Sequence, residues 1–238
     1  MNINKLISAK RGVVENHEFK GHLLFSLGQP GTTRPDRFGS IYVFNDDVIF
    51  PDAYVGMHPH KETEIITIML AGKESHSDSL GNYQELTAGD VQLISSGTGI
   101  RHAGGNLSST ESSRHLQIWI EPKSVETAPT LQLKHRKSGT DPDIWNLLVS
   151  PDGEAGSLFI NQLVWISEGS FSGGEISCKM KNVNNGLLIY VLNGQIKMEN
   201  GATAEQEDTL FIIAETEKVI FHAEQTCRLL VIETALTR

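Results

Sequence analysis

The sequence is short of several things that would each point to a function class. It has no apolar stretch long enough to cross a bilayer as a helix. The opening residues MNINKLISAKRG lack the apolar run of a secretory signal. Only two cysteines occur, Cys178 and Cys227, each inside an apolar segment, so they are expected as reduced core thiols rather than a disulfide or a metal site. Basic residues are outnumbered, 20 Lys and Arg against 29 Asp and Glu, for a formal net charge of −9. Phosphate backbones are bound by clustered cations, so nucleic acid is excluded as the main partner. A cytoplasmic protein that acts as a monomer is the resulting expectation.

What is present is a succession of short apolar runs separated by turns. Ser40–Phe44, Ile65–Leu70, Val91–Ile94, Leu116–Ile120, Leu187–Leu192, Leu210–Ile213 and Leu229–Ile232 read as strands. Leu80-Gly81-Asn82, Gly89-Asp90, Asn193-Gly194 and Asn200-Gly201 read as the turns between them. No long helical period competes, so the fold class is all-β.

The chain also repeats itself. Ile65–Lys73 matches Leu187–Gln195 in pattern, each a strand running into a glycine turn, and in both copies a Gly-Asp or Glu-Asp turn and an apolar strand follow. Two barrels of one topology are implied, residues 1–125 and 126–238, with the polar stretch from about Lys123 to Asp143 joining them. Barrel closure removes exposed sheet edges.

Five of the nine histidines fall between His58 and His115. His58-Pro59-His60 puts two imidazoles at i and i+2, on one face of an extended strand. Pro59 donates no ladder hydrogen bond, which suits an edge. Neighbouring imidazoles facing inward need something to satisfy their lone pairs, and a divalent transition metal does so directly. A second block, Gly97-Thr98-Gly99-Ile100-Arg101-His102, offers a third ring, with glycines that allow a tight approach. His115, Gln117 and Trp119 share one strand face. The first two are candidate substrate-pocket residues, and Trp119 is expected to pack. His76 is expected in the hairpin after Gly72, either exposed or hydrogen-bonded to a metal ligand rather than itself a ligand, and Arg101 and Glu62 in solvated turns or, as the lesser alternative, in the same supporting role.

These blocks, Gly56-Met57-His58-Pro59-His60-Lys61-Glu62-Thr63-Glu64, His76–Asn82, Ser96–His102 and Leu116–Ile120, carry the two-motif pattern of cupins and resemble the pirin family. The likeness extends over most of residues 20–122 and more weakly over the second half. It implies a bicupin, two tandem jelly-roll barrels, with one mononuclear metal in the first. By resemblance His58, His60 and His102 are three of four ligands. Iron(II) is the expected metal, and copper, nickel, manganese, cobalt and zinc are the alternatives. Some pirins open flavonols with dioxygen as quercetin 2,3-dioxygenases, and others are proposed to be redox-responsive regulators of a protein partner. The resemblance therefore implies either a small phenolic substrate with O2 or a protein partner.

The sequence departs from the family at one place. Pirins carry a Glu two residues after the third histidine, as ligand and base, and here that position is Gly104. Glu64 stands where many other cupins keep an acidic ligand, so either Glu64 or, more commonly, water fills the open position, and Glu64 is the candidate catalytic carboxylate. Aligning the copies on Gly72 and Gly194 sets Met180 and Asn182 against His58 and His60. The second barrel is thus expected to be metal-free and structural, with His222 a lone solvated or packed ring.

Overall fold

The computed structural model describes residues 1–136 and 141–236, so residues 137–140 of the expected linker lie outside the described residues. Apart from two single-turn 3-10 segments, Ser8–Lys10 and Glu154–Gly156, the regular structure among the described residues is β. Every apolar run singled out in the sequence lies largely or wholly within a strand, among them Ile41–Ile49, Glu64–Ala71, Ser113–Ile120, Asn185–Asn193 and Cys227–Ala235. No helix among the described residues is long and apolar enough to cross a membrane.

Among the described residues four sheets form, two of seven strands and two of four. Each half of the chain is a two-sheet jelly-roll sandwich, one seven-stranded sheet facing one four-stranded sheet, rather than a single hydrogen-bonded cylinder. One apolar core draws on both seven-stranded sheets. Phe44, Ile66, Ile68 and Ile118 from the first meet Leu188, Tyr190, Leu230 and Ile232 from the second, all at most 1% exposed. At roughly 1.5–3 kcal/mol for each large apolar side chain buried, this core is a principal stabilising contact between the halves.

The glycines of the repeat are needed where they stand. Gly72 and Gly194 have φ of 74° and 84°, and a Cβ would lie 2.8 Å from Ser113 Cα and 2.7 Å from Thr226 O respectively. Both end their strand and let the chain reverse.

Two edge strands cross between the halves. Asn2–Leu6 pairs antiparallel with Thr209–Ile213, in the sheet otherwise built from residues 145–235. Thr130–Lys134 pairs with Val91–Ser95 in the N-terminal sheet. The halves thus exchange strands across the boundary expected near residue 125.

The interface also holds two buried carboxylates, Asp46 and Glu168, each paired with arginine. Arg114 forks onto Asp46 with bonds of 2.8 and 2.7 Å and reaches Glu207 of the other half at 2.7 Å, while the Tyr190 hydroxyl donates to Asp46 at 2.6 Å. Burial alone would raise the Asp46 carboxyl, but these donors outweigh it and hold the group below its ordinary value. Arg228 and Arg136 reach Glu168 at 2.6 and 3.3 Å. Cys178 and Cys227 are free, buried thiols.

Candidate metal centre

The four-stranded N-terminal sheet positions the histidines. Tyr54–His60 is its edge strand, so the missing N–H of Pro59 costs no ladder bond on the outer side. Along it Met57 and Pro59 are exposed, while His58 and His60 alternate inward. The neighbouring strand Ile100–Asn106 sets His102 directly opposite His58, and the register then shifts between His102 and Gly104.

The three rings converge. Their centroids are 4.4 Å apart for His58 and His102, 4.9 Å for His60 and His102, and 5.0 Å for His58 and His60. One ring nitrogen from each lies within 4.8 Å of the other two. His58 Nδ1 donates to Gly56 O at 2.8 Å, which fixes its tautomer and leaves Nε2 as the free lone pair. His102 Nε2 is buried with no hydrogen-bond partner among the described residues. Burial, then the neighbouring rings, hold His60 down at about 4 and His102 at about 3. Neutral imidazoles with unshared lone pairs are the protonation state that binds a transition metal. The donor set therefore fits the expected metal.

The structure does not bring Glu64 to these rings. Its carboxylate accepts from Ser95 Oγ at 2.7 Å and from the Asn161 amide at 3.5 Å, 1% exposed, on the strand face shared with Ile66 and Ile68. Thr67, on the opposite face, lines the cavity. The reason is local: Glu62 takes a left-handed φ of 50° between the two strands, so the inward alternation of His60 is not carried through to Glu64. The expectation of Glu64 as metal-closing or catalytic carboxylate is corrected accordingly.

At Gly104 the backbone itself excludes a side chain. A Cβ there would sit 2.3 Å from Ser75 O. The ladder partner across from Gly104 is His76. Of the two settings expected for His76, the exposed one is excluded: it is 5% exposed, with its ring 5.3 Å from that of His102. The alternation of Lys73–Asp78 explains this, since Glu74, His76 and Asp78 all turn inward.

The cavity between the two N-terminal sheets has a volume of about 270 Å³. That is near the small end of ligand sites, which run from roughly 300 to 1,000 Å³. His58, His76 and His102 line it from one sheet, and His115, Gln117, Asn45, Asp47, Thr67 and Gln92 from the other. His115 and Gln117 thus stand in the cavity wall. Gln117 Nε2 donates to Thr67 Oγ1 at 2.8 Å. Trp119 packs edge-on against His60, at 4.9 Å, and against Tyr42, at 6.2 Å.

The sequence reading passed over Asn45, Asp47, Glu74 and Gln92. The available signal was Asn45-Asp46-Asp47, three polar residues interrupting an otherwise apolar strand.

In the second half the corresponding interior is filled by Ile176, Cys178, Met180, Ile189, Val191 and Phe221, and His222 is exposed.

Comparison with known proteins agrees with this geometry. Residues 7–120 match the Pirin family, and residues 147–234 match the quercetinase C-terminal cupin domain. A quercetin 2,3-dioxygenase of Escherichia coli (strain K12) is 34% identical over 196 residues, 82% of this chain and 83% of the relative. The chain belongs to the pirin family. A pirin-like protein of Caulobacter vibrioides is 50% identical over 93 residues, 39% of this chain and 40% of that one. Among solved structures, the E. coli pirin YhhW in complex with nickel(II) superposes with a TM-score of 0.90 at 29% identity, covering 99% of this chain and 100% of that one. Oxalate decarboxylase of Bacillus subtilis, at 8% identity and a TM-score of 0.67, shares the fold alone. The bicupin fold and a metal-binding site on His58, His60 and His102 are thereby supported together.

Proposed function

We propose that this pirin is a metal-dependent oxygenase of the quercetin 2,3-dioxygenase type, acting with O2 on a flavonol or another planar phenolic. The observation that carries the reading is the three-imidazole cluster, two of whose rings, His58 and His102, open onto a cavity of mixed polarity. Its relatives named as quercetin 2,3-dioxygenases support the choice of reaction.

His58, His60 and His102 would hold the ion, and imidazole donors suit iron(II) among the first-row metals. When bound, the metal supplies Lewis acidity toward a phenol oxygen and one-electron chemistry toward dioxygen. The chain's residues do the rest. Trp119 packs edge-on against the His60 ring and, with Leu86 and Val55, supplies apolar lining for an aromatic ligand. Gln117, held by Thr67 and the Ile66 carbonyl, keeps its amide in a defined orientation at the wall. An outer recess lined by Leu27, Arg37 and Tyr42 shares Asn45 and Trp119 with the cavity, so a ligand larger than the inner space can extend outward. Glycine at 104 supplies no carboxylate, and Asp78, the ladder neighbour of His102, accepts from Leu80 N, Asn82 N and Asn82 Nδ2 instead.

The test is oxygen uptake by protein loaded separately with iron, copper, nickel, manganese or cobalt, on flavonols and catechols. Uptake with at least one metal, lost in His102→Ala, is expected. No uptake with any of them would overturn the oxygenase reading in favour of a metal-responsive regulator, for which recovery of a protein partner would differ between reduced and oxidised metal.

A further inference from the structure

A second set of ionisable side chains shares the cavity with the histidines. Asp47 and His115 face each other across adjacent strands of the seven-stranded sheet, and Glu74 approaches from the four-stranded one. Their hydrogen bonds are unevenly distributed. His115 Nδ1 donates to Glu74 Oε1 at 2.9 Å, and the same oxygen accepts from Ser113 Oγ at 2.7 Å. Burial disfavours the His115 cation, but Glu74 and then Asp47 outweigh it and bring the ring up to about 9. His115 and Glu74 therefore satisfy one another.

Asp47 is left over. It is 7% exposed, and Oδ1 has no hydrogen-bond partner among the described residues. Oδ2 is 3.8 Å from His115 Nε2, beyond hydrogen-bond reach. Asn45 Oδ1, two residues along the same face, is also without a partner among the described residues. Burial pushes the Asp47 carboxyl up to about 6, against the pull of His115 and of the Asn45 side chain and with repulsion from Asp46 and Glu74 adding to it. A buried carboxylate oxygen without a donor costs stability, and such groups persist where a function uses them. Stability alone does not ask for it: the equivalent ladder position in the second half is Gly169, with Phe171 packed over it.

We propose that Asp47, with Asn45 beside it, is the second anchor of the ligand cavity. It accepts hydrogen bonds from hydroxyl groups on the part of the ligand remote from the histidines. The site thereby selects phenolics that carry hydroxyl donors in addition to the metal-binding oxygen, an inference that rests on the phenolic reading of the cavity. The Glu74–His115 pair positions the anchor, since His115 stands across the ladder from Asp47 and is itself held by Glu74. Rotation about the last torsion of the Asp47 side chain turns either oxygen toward the ligand.

The experiment is a binding titration of nickel-loaded protein under argon with two flavonols. Quercetin carries hydroxyls on both ring systems, whereas 3-hydroxyflavone keeps the metal-binding hydroxyl and lacks the others. A hydrogen bond to a charged acceptor corresponds to roughly a ten- to hundredfold preference for quercetin in the wild type. In Asp47→Asn and Asp47→Ala the preference is expected to shrink progressively to about threefold or less, with metal content and 3-hydroxyflavone affinity unchanged. An undiminished preference in both variants would overturn the assignment of Asp47. Failure of both flavonols to bind the wild type would instead overturn the phenolic reading, and this inference with it.

Discussion

Thr67, Gln92, Gln117 and His115 point into the N-terminal sandwich, and the same ladder positions of the C-terminal one hold Ile189, Leu210, Val231 and Leu229. Asp47 corresponds to Gly169, whose missing side chain is replaced by the Phe171 ring: a Cβ there would lie 2.5 Å from it. One interior is a cavity of mixed polarity and the other a packed apolar core. The positions facing the interface do not diverge in this way. Asp46 and Arg114 of the first half correspond to Glu168 and Arg228 of the second, each a carboxylate 1% exposed and paired with an arginine. The architecture common to both halves therefore resides in the glycine turns, the interface and its ion pairs. What distinguishes the first half is confined to residues around one cavity, where burial of polar groups costs stability and provides a site.

The sharpest way to break this comparison is to put a residue of the first half into the second. Leu229→His places an imidazole at the position of His115 but without an equivalent of Glu74. It is expected to destabilise by about 3 kcal/mol through cavity formation and an unpaired buried polar group, lowering Tm by on the order of 10 °C. A Tm within about 2 °C of the wild type would show that the second interior is not a packed core.

A smaller effect is expected from Gly104→Ala. The added Cβ meets Ser75 O at 2.3 Å, so the two strands must part. A loss of about 1–3 kcal/mol in denaturant unfolding is expected, together with weakened metal binding as His102 shifts. Unchanged stability would mean that the strand bends away freely and that glycine is not required there.

Much of this was legible in the sequence, for identifiable reasons. Short apolar runs bounded by Gly and Asn turns revealed the strands, and the spacing of His58 and His60 put both rings on one face. His102 needed its glycine-flanked turn to be recognised as a third. Glu64 was misplaced because strand parity does not pass through the left-handed Glu62. His76 and Glu74 were missed because Lys73-Glu74-Ser75-His76-Ser77-Asp78 is polar at every position, so no alternation marks the buried face. The exchanged strands were hidden in Asn2-Ile3-Asn4-Lys5-Leu6 and Thr130–Lys134, whose partners lie some 200 and 40 residues away in sequence.

Metal stoichiometry tests the account at its centre. Untagged protein equilibrated with nickel(II) or iron(II) and freed of excess ion is expected to retain one metal per chain. His58→Ala and His102→Ala are each expected to weaken retention by more than about 100-fold, beyond the 10–100-fold typical of losing an outer hydrogen-bond partner, while Met180→Ala and His222→Ala leave it at one. Full retention in both N-terminal variants, or loss in either C-terminal one, would contradict a single metal centre held by the first half alone.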